Sequence, residues 1–239
     1  MTERLDILML NQKLVSSRSD AQKLIEAGKV KVNGKIVLKK HLKFENDLKI
    51  EVDKEDVFVA RSGAKLQKAI DEFKVDIKNF VCLDVGASTG GFTECLISNG
   101  ASKVYSVDVG SDQLDEKLKK DKRVINLEKT DIRNLKKLDE LTDLITVDVS
   151  FISILKILPV LKKFLKKAGK LIFLIKPQFE IKGDKNKQGK IKDEILVDEV
   201  IRNIKKSIED EGYNVIGTIE SPILGKKGKN KEYLMYLSF

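Results

Sequence analysis

Two charged residues stand directly after predicted strands, where a parallel sheet opens on its ligands. The apolar run Leu171–Ile175 predicts a strand buried on both faces, and it leads straight into Lys176. A second apolar run, in "LITVDVSFIS", ends in Asp148. A single lysine at a strand end could simply extend to water. Because both strand ends open at the same edge of the sheet, the ammonium and the carboxylate can instead meet there and handle a proton.

Lys65 and Glu232 extend this pair to a candidate catalytic set of four residues. Lys65 lies in "RSGAKLQKAI", a predicted helix leading into the first strand, and Glu232 begins the last strand in "NKEYLMYL". On its own, Lys65 would be a solvated helix lysine. Next to Lys176 in a partly desolvated site, one of the two amines could lose its proton and act as a base, while Asp148 and Glu232 hold the network in position.

The stretch "CLDVGASTGGFTECLI" predicts a buried strand, a glycine-rich turn and a helix whose first amides can hold a ligand. Three uses of such a turn fit poorly. A dinucleotide fold has glycine where Ser88 stands, and a phosphate-binding loop requires a Lys-Ser/Thr that is absent. A serine-hydrolase turn requires a histidine downstream, whereas the single histidine is His41. The remaining interpretation is the S-adenosylmethionine loop of Rossmann-like methyltransferases.

Acidic residues at the ends of successive strands support this cofactor site. Asp108 closes "KVYSVD" about 20 residues after the turn, where a carboxylate can accept both ribose hydroxyls. Asp131, in "KTDIRN", follows the third strand and could contact the adenine side. Each carboxylate could separately be a helix cap or a solvated strand end. The predicted cofactor-binding residues are Asp84, Gly86, Ser88, Gly90, Asp108 and Asp131.

These residues need a sheet to position them, and most of the chain alternates predicted strands with amphipathic helices. This order predicts an α/β fold of the Rossmann-like methyltransferase class, with a doubly wound, mostly parallel sheet. The main helical patterns are "SILKILPVLKKFLKKAG" and "DEILVDEVIRNIKKSIEDEG". The predicted strands are Phe80–Asp84, Lys103–Asp108, Arg123–Leu127, Leu144–Asp148, Leu171–Ile175, Asn214–Glu220 and Glu232–Ser238.

The N-terminal residues predict a separate, small α+β domain. "RSDAQKLIEAG" has Ser19 or Asp20 as a helix start, and "KVKVNGKIV" alternates around an Asn33-Gly34 hairpin turn. This helix and hairpin resemble the S4 RNA-binding domain over about 25 residues; the alternative is a lysine-rich helix and hairpin without a ligand. We place the RNA-binding domain at residues 1–56, a linker at 57–61 and the methyltransferase domain at 62–239.

Positive charge is concentrated in two segments of the chain. Lys and Arg number 46 against 37 Asp and Glu, a net charge of +9. Residues 13–43 hold nine basic and two acidic residues, and residues 162–192 hold eleven and two. Such faces indicate a polyanionic partner, and nucleic acid is the common one. The predicted RNA-binding residues are Arg18, Lys23, Lys29, Lys31, Lys35, Lys182, Lys185, Lys226 and Lys227.

Other classes of protein fit the sequence poorly. Lysines interrupt every apolar stretch well before the roughly 18 residues that a membrane span requires, so no stable membrane association is expected. The N-terminus shows no secretory signal, which predicts a cytoplasmic location. Cys82 and Cys95 lie in apolar patterns without metal-ligand neighbours, so we expect buried thiols and no metal site.

Over essentially the whole chain, the sequence resembles the TlyA family, in which an S4 domain precedes an FtsJ-like methyltransferase acting on ribosomal RNA. The matching stretches are "RLDILMLNQKLVSSRSDAQKLIEAGKVKVNGK", "LDVGASTGGFTECLI", "VDVSFISI", "LIKPQFE" and "SPILGKKGKNKEYL". The resemblance implies that Lys65, Asp148, Lys176 and Glu232 are the family's Lys-Asp-Lys-Glu set. It also implies 2′-O-methylation of a ribose, usually of cytidine, in ribosomal RNA or ribosomal subunits.

Two positions depart from the family's pattern. Ser62 stands where the first of two glycines before Lys65 is expected, and the loop before Glu232 is one residue longer between Gly228 and Asn230. The second departure makes Glu232 the weakest assignment of the four.

Two other functions remain open at this point. Members of the family often carry the name haemolysin, and the predicted helix 153–167 has an apolar face with five lysines, as a membrane-surface helix would. Alternatively, the protein is a noncatalytic RNA-binding factor of ribosome assembly, and turnover would separate that possibility from an enzyme.

Overall fold

The computed structural model consists of two compact units, Met1–Val57 and Phe58–Phe239. Phe58, within the predicted linker, is buried in the core of the second unit. The residues that the structure describes are 2–15, 17–26, 28–45, 48–52, 58–181, 191, 193–225 and 230–239.

The first unit packs two helices against short strands. Strands β2 and β3 form the predicted hairpin, in which Val32 pairs with Lys35 across a turn of Asn33 and Gly34, both with positive φ. Leu5, Ala21, Ile25 and Val30 are among the buried residues of its core. The elements are β1 (Thr2–Arg4), α1 (Leu5–Asn11), α2 (Arg18–Glu26), β2 (Val30–Val32), β3 (Lys35–Ile36), β4 (Lys43–Glu45) and β5 (Ile50–Val52).

The second unit is built on a seven-stranded sheet in the order β11-β12-β10-β9-β6-β7-β8. The five strands from β10 to β8 run parallel, whereas β12 is antiparallel to both β10 and β11. The predicted mostly parallel sheet is therefore confirmed. Its strands are β6 (Val81–Val85), β7 (Lys103–Val107), β8 (Val124–Leu127), β9 (Thr142–Val147), β10 (Leu165–Ile175), β11 (Asn214–Glu220) and β12 (Tyr233–Ser238).

Helices cover both faces of this sheet. One apolar layer includes Leu66 of α3, Phe92 of α4 and Leu118 of α5. The opposite layer includes Leu158 of α6 and Ile204 of α8. The helices of this unit are α3 (Ser62–Phe73), α4 (Gly91–Ser98), α5 (Glu116–Lys119), α6 (Leu158–Leu161), α7 (Pro177–Glu180) and α8 (Glu194–Asp210).

Segment 153–167 is not the continuous helix that its apolar periodicity predicts. Pro159 stands at the start of α6, and its missing N–H could not bond to the Leu155 carbonyl of a continuous helix. The apolar side chains still pack on the sheet, so the periodicity is kept although the helix is broken. The segment forms a 3-10 turn at Ile154–Lys156, α6 at Leu158–Leu161, a second 3-10 turn at Lys162–Phe164, and then the start of β10.

No helix within the described ranges has both the length and the apolar composition needed to cross a membrane.

Candidate active site

Strand alternation places three charged side chains on the face of the sheet that α3, with Lys65, covers. Successive strand residues face opposite sides, so residues of equal parity share a face. Leu174 of β10 and Leu234 of β12 pack in the apolar layer of α3, which assigns Lys176 and Glu232 to the same side. Leu144 of β9 also packs there, so Asp148, four residues later, shares that face.

The sheet register brings these residues to one edge. Ile175 pairs with Tyr233 in the antiparallel ladder, so Lys176 and Glu232 are the next opposed positions beyond it. On the other side of β10, Phe173 pairs with Val147, the last residue before Asp148. Three charged residues therefore follow or precede neighbouring strands at the same edge.

Asp148 and Lys176 form an ion pair at this edge. Lys176 Nζ lies 2.5 Å from Asp148 Oδ1, and it donates a hydrogen bond to Ser150 Oγ at 2.9 Å. Both charged side chains are mostly shielded, with 11% and 16% of their surface exposed. An ammonium held by two partners has a third N–H available for a substrate oxygen.

Lys65 and Glu232 form a second, more deeply buried ion pair. Lys65 Nζ of α3 donates to Glu232 Oε2 at 2.5 Å, and the two residues are 4% and 3% exposed. A buried ion pair often adds little net stability, because desolvation offsets the attraction. The four predicted catalytic residues thus form two pairs, and each lysine has its own carboxylate.

The glycine turn lies against the strand that carries Asp148. Gly86 has a φ of +86°, and a Cβ at this position would come within 2.5 Å of the Asp148 carbonyl oxygen. Gly90, the residue that caps the start of α4, has a φ of +97°. Both positions require glycine, because a side chain would strain the backbone or collide with a neighbour. The turn can therefore approach the Asp148–Lys176 pair closely.

Asp108 is partly exposed beside this turn. Its Oδ2 accepts the Ser88 N–H at 2.8 Å, and its Oδ1 accepts the Gly110 N–H at 2.7 Å. Each oxygen retains a second lone pair, so the carboxylate can still accept hydroxyl groups from a ligand.

Asp84 faces the protein interior, in contrast to the predicted cofactor contact. Its carboxylate is fully buried and accepts hydrogen bonds from Thr93 Oγ1 at 2.7 Å and Thr146 Oγ1 at 3.1 Å. Thr93 belongs to α4, so Asp84 ties the strand before the glycine turn to the helix after it. In this arrangement Asp84 is a positioning residue of the turn.

Burial raises the pKa of Asp84 to about 7, and the Asp148 charge adds to this rise. In the unfolded chain the group titrates near its ordinary value of about 3.9. Between these values the folded protein holds a proton that the unfolded chain releases, so stability falls as pH rises from about 4 to 7, by on the order of 4 kcal/mol.

We predict that Asp84→Asn removes this component of the pH dependence. As pH rises from 4 to 8, the unfolding free energy of the wild type should fall relative to that of Asp84→Asn. Urea unfolding followed by circular dichroism measures both. Asp131→Asn is the control, because the Asp131 pKa is lowered and its effect lies at acid pH. A constant difference across this range would contradict the assignment.

Asp131 is paired within its own segment. Arg133 Nε and Nη2 bind its two carboxylate oxygens, and this hydrogen bonding lowers the pKa of Asp131. A ligand reaching Asp131 would meet a carboxylate already neutralised by a neighbour two residues away.

Three residues near the ion pairs escaped prediction. Ser150 binds Lys176, as described above, and no sequence pattern marks it. Phe151 is 79% exposed with a φ of +65°, and its ring centroid lies 5.0 Å from that of Phe179 in α7. An exposed aromatic pair beside a charged site can stack on a nucleobase. Within an apolar stretch such as "VSFISI", exposure of one phenylalanine cannot be detected by periodicity.

The part of the chain that the structure describes contains no cluster of three or more His, Cys, Asp or Glu side chains suited to a metal ion.

A sequence profile of FtsJ-like methyltransferases matches residues 58–239. The chain belongs to the FtsJ-like methyltransferase family. A profile of the S4 domain matches residues 3–45 of this FtsJ-like methyltransferase. The two domains in this order, with TlyA relatives along the whole chain, confirm the predicted membership of the TlyA family.

Named relatives of this FtsJ-like methyltransferase carry two kinds of name. Hemolysin A of Brachyspira hyodysenteriae is 44% identical over 237 residues, which cover 98% of this chain and 98% of the relative. The 16S/23S rRNA (cytidine-2'-O)-methyltransferase TlyA of Mycobacterium tuberculosis is 35% identical over 239 residues, 98% of this chain and 89% of the relative. A solved structure from Streptococcus thermophilus, named as a hemolysin, has a TM-score of 0.75 and 35% identity, with 99% of this chain and 88% of that chain covered.

In the S4 domain of this FtsJ-like methyltransferase, Arg18 is exposed and belongs to a network around Asp6. Burial opposes ionisation of Asp6, but hydrogen bonds from Arg4, Gln22 and Arg18 outweigh it and lower the pKa of Asp6 to about 2. Arg18 Nη2 donates to Asp6 Oδ2 at 3.3 Å, which leaves other guanidinium donors free for phosphate.

The other predicted RNA-binding residues divide into two groups. Lys31 and Lys35 are exposed on the hairpin, whereas Lys23 and Lys29 are half-buried. Four predicted residues lie outside the described residues: Lys182, Lys185, Lys226 and Lys227.

Proposed function

We propose that this FtsJ-like methyltransferase transfers a methyl group from S-adenosylmethionine to a ribose 2′-hydroxyl of ribosomal RNA, with cytidine as the nucleoside. The observation that carries the proposal is the meeting of two lysine–carboxylate pairs at the sheet edge next to the glycine turn. The activity for which the Mycobacterium tuberculosis relative is named supports the choice of ribose and nucleoside. A ribosomal substrate also agrees with a cytoplasmic location.

The residues at the glycine turn fit the cofactor. Asp108 has free lone pairs for the two ribose hydroxyls, and Gly86 and Gly90 allow the backbone conformation and close packing of the turn. S-adenosylmethionine supplies an electrophilic methyl group on a sulfonium centre. Asp84 shapes the turn from behind, and Asp131 would meet the cofactor as a carboxylate already paired with Arg133.

Lys176 is the group that we assign to the reacting hydroxyl. Asp148 forms an ion pair with the ammonium and Ser150 accepts one of its N–H groups, so an N–H remains that can bind the ribose oxygen and fix its lone pair for attack. As the hydroxyl attacks the methyl group that the cofactor would supply, its proton passes to the Asp148 carboxylate, because the Lys176 ammonium already carries three protons. The pair is neutral before the transfer and carries one positive charge after it.

Lys65 and Glu232 support this arrangement from the neighbouring strand. Lys176 and Glu232 are opposed positions on neighbouring strands. The ion pair with Glu232 therefore holds the Lys65 ammonium on the same side of the sheet as Lys176. A second cation at the edge attracts the phosphate that flanks the ribose. Exposed Phe151 offers a stacking surface for the base of the same nucleotide.

RNA capture rests on basic residues of the S4 domain. Arg18, Lys31 and Lys35 expose positive charge on the S4 domain, where they can bind the phosphates of a structured RNA segment. Such contacts position the substrate and weaken with salt.

The proposed function is tested by turnover on ribosomal subunits. Purified protein is incubated with tritiated S-adenosylmethionine and with separated small and large subunits that lack the modification, and the labelled nucleotide is mapped. We expect label on a 2′-oxygen of cytidine. Cofactor binding without label on either subunit would favour the noncatalytic RNA-binding factor, or an RNA outside the ribosome.

The name of the Brachyspira hyodysenteriae relative calls for a parallel arm of this experiment. The same preparation is added to liposomes containing a fluorescent dye, at low and high salt. We expect no leakage at either salt concentration. Salt-stable leakage together with absent methylation would favour a membrane-active protein.

A further inference from the structure

The loop 108–114 joins the end of β7 to the helical segment that follows. Its first residue is Asp108, and its last, Leu114, is buried in the core. Leu114 and Leu118 lie directly against Gly90, where a Cβ would approach their side chains to 2.8 and 2.2 Å. The loop is therefore packed against the glycine turn at one end and carries the ribose-binding candidate at the other.

Glu128 stands beside Asp108 at the edge of the sheet. Val107 pairs with Leu127 in the parallel β7–β8 ladder, so Asp108 and Glu128 are the next positions on adjacent strands. Instead of facing the ligand, the Glu128 carboxylate binds the loop. Its Oε1 accepts the backbone N–H groups of Gln113 at 2.6 Å and Leu114 at 3.1 Å.

Further hydrogen bonds hold the Glu128 carboxylate and the loop in place. Asn126 Nδ2 donates to Glu128 Oε2 at 3.0 Å, which holds the carboxylate in place. The backbone N–H groups of Lys129 and Thr130 bind the carbonyl oxygens of Gly110 and Asp108, each at 2.8 Å. The segment after β8 thus holds both ends of the loop.

The middle of the loop faces solvent. Val109 is 72% exposed, and Asp112 has a φ of +52° with a strongly exposed side chain. Gln113 reaches back to the glycine turn, where Ser88 Oγ donates to its Oε1 at 3.1 Å. Without the Glu128 contacts, the loop would lose the acceptor for two consecutive N–H groups and gain conformational freedom before any ligand binds.

We propose that Glu128 is a positioning residue for S-adenosylmethionine, acting through Asp108 by fixing the loop 108–114. The inference rests on the proposed function for the identity of the ligand. Pre-ordering a binding loop lowers the entropic cost of binding, so its loss weakens affinity without removing a direct contact. Hydrogen bonds from Asn126, Leu114 and Gln113 lower the pKa of Glu128 to about 2, so the Glu128 carboxylate stays ionised at neutral pH.

The test is titration calorimetry with S-adenosylmethionine and with S-adenosylhomocysteine on the full chain. For Glu128→Gln we expect the Kd of both ligands to rise about 10-fold, because the amide keeps one acceptor but opposes its donor to Asn126. Glu140→Gln is the matched control, since Glu140 pairs with Lys103 and takes no part in the loop. In turnover, KM for the cofactor should rise, with kcat and KM for RNA within about twofold of wild type.

A double-mutant cycle with Asp108→Asn separates positioning from a general loss of structure. If Glu128 acts through Asp108, Glu128→Gln should weaken binding far less in the Asp108→Asn background than alone. Asn126→Ala removes the hydrogen bond that supports the Glu128 carboxylate but keeps the carboxylate itself, and it should raise the Kd about threefold. This variant replaces Glu128→Gln in the test if Glu128→Gln fails to fold.

Three outcomes would overturn the inference: unchanged Kd in Glu128→Gln and Asn126→Ala, full additivity with Asp108→Asn, or an equal rise of the KM for RNA. Its failure differs from failure of the proposed function. A wild-type protein that binds neither ligand overturns both, whereas a wild type that binds them without methylating RNA leaves the Glu128 assignment to be decided by affinity.

Discussion

Lys176→Met is expected to lower the rate of methyl transfer by about 1,000-fold while S-adenosylmethionine binds with nearly wild-type affinity. The substitution keeps an unbranched apolar side chain and removes the ammonium that contacts Asp148 and Ser150. A proton-handling and orienting group at the reacting oxygen contributes about 100- to 10,000-fold in rate. Single-turnover methylation of ribosomal subunits measures the rate, and titration calorimetry measures the affinity.

Lys170→Met provides a control within the same strand. Lys170 lies in the middle of β10, well before the strand end that carries the site, and pairs with Ser238, so the same substitution should leave turnover within about twofold of wild type. A Lys176→Met protein with near-normal turnover would remove Lys176 from the reaction.

Asp148 supplies a further check on the same ion pair. If the Lys176–Asp148 pair acts as a unit, Asp148→Asn combined with Lys176→Met should lose little more activity than Lys176→Met alone. Multiplicative losses would instead mean that the two residues act independently.

Substitutions in the Lys65–Glu232 pair are expected to affect stability and methylation differently. Glu232→Leu leaves a buried ammonium without its partner and should lower the free energy of unfolding by about 3–5 kcal/mol; Lys65→Met leaves the carboxylate in the same state. The double variant Lys65→Met/Glu232→Leu should recover most of this stability, because replacing a buried ion pair with apolar side chains is often neutral. Urea unfolding of the full chain, followed by circular dichroism because the sequence has no tryptophan, measures these changes.

Methylation should not return in the double variant. If the pair holds an ammonium at the substrate phosphate, the stable double variant remains at least about 100-fold slower than wild type. The exposed pair Lys68–Glu72 of α3 is the control, since Lys68→Met/Glu72→Leu should change stability by less than about 1 kcal/mol and leave turnover intact. Restored turnover in the buried double variant would make Lys65–Glu232 a structural pair only.

Local patterns in the sequence were enough to find the strands of the sheet and the glycine turn. Buried parallel strands appear as short apolar runs, and the residue after each run marks the ligand edge, which is how Asp108, Asp148 and Lys176 could be selected. Helix α8 followed from the same periodicity, and Asp193 caps its start. The continuous helix predicted over segment 153–167 was wrong, because short helical turns around Pro159 keep the same apolar periodicity.

The sequence by itself determined which residues stand at strand ends, because alternation and turn chemistry are local. Only the tertiary structure decided their partners. Lys65 meets Glu232 across 167 positions because α3 packs beside β12, and Asp84 faces inward because alternation along β6 turns it toward α4, where Thr93 binds it. In the sequence, nothing distinguishes Glu128 from other acids; its contact with the loop 108–114 depends on β8 lying beside β7. Side-chain partners depend on strand order and on which face each helix covers, and those are properties of the folded chain as a whole.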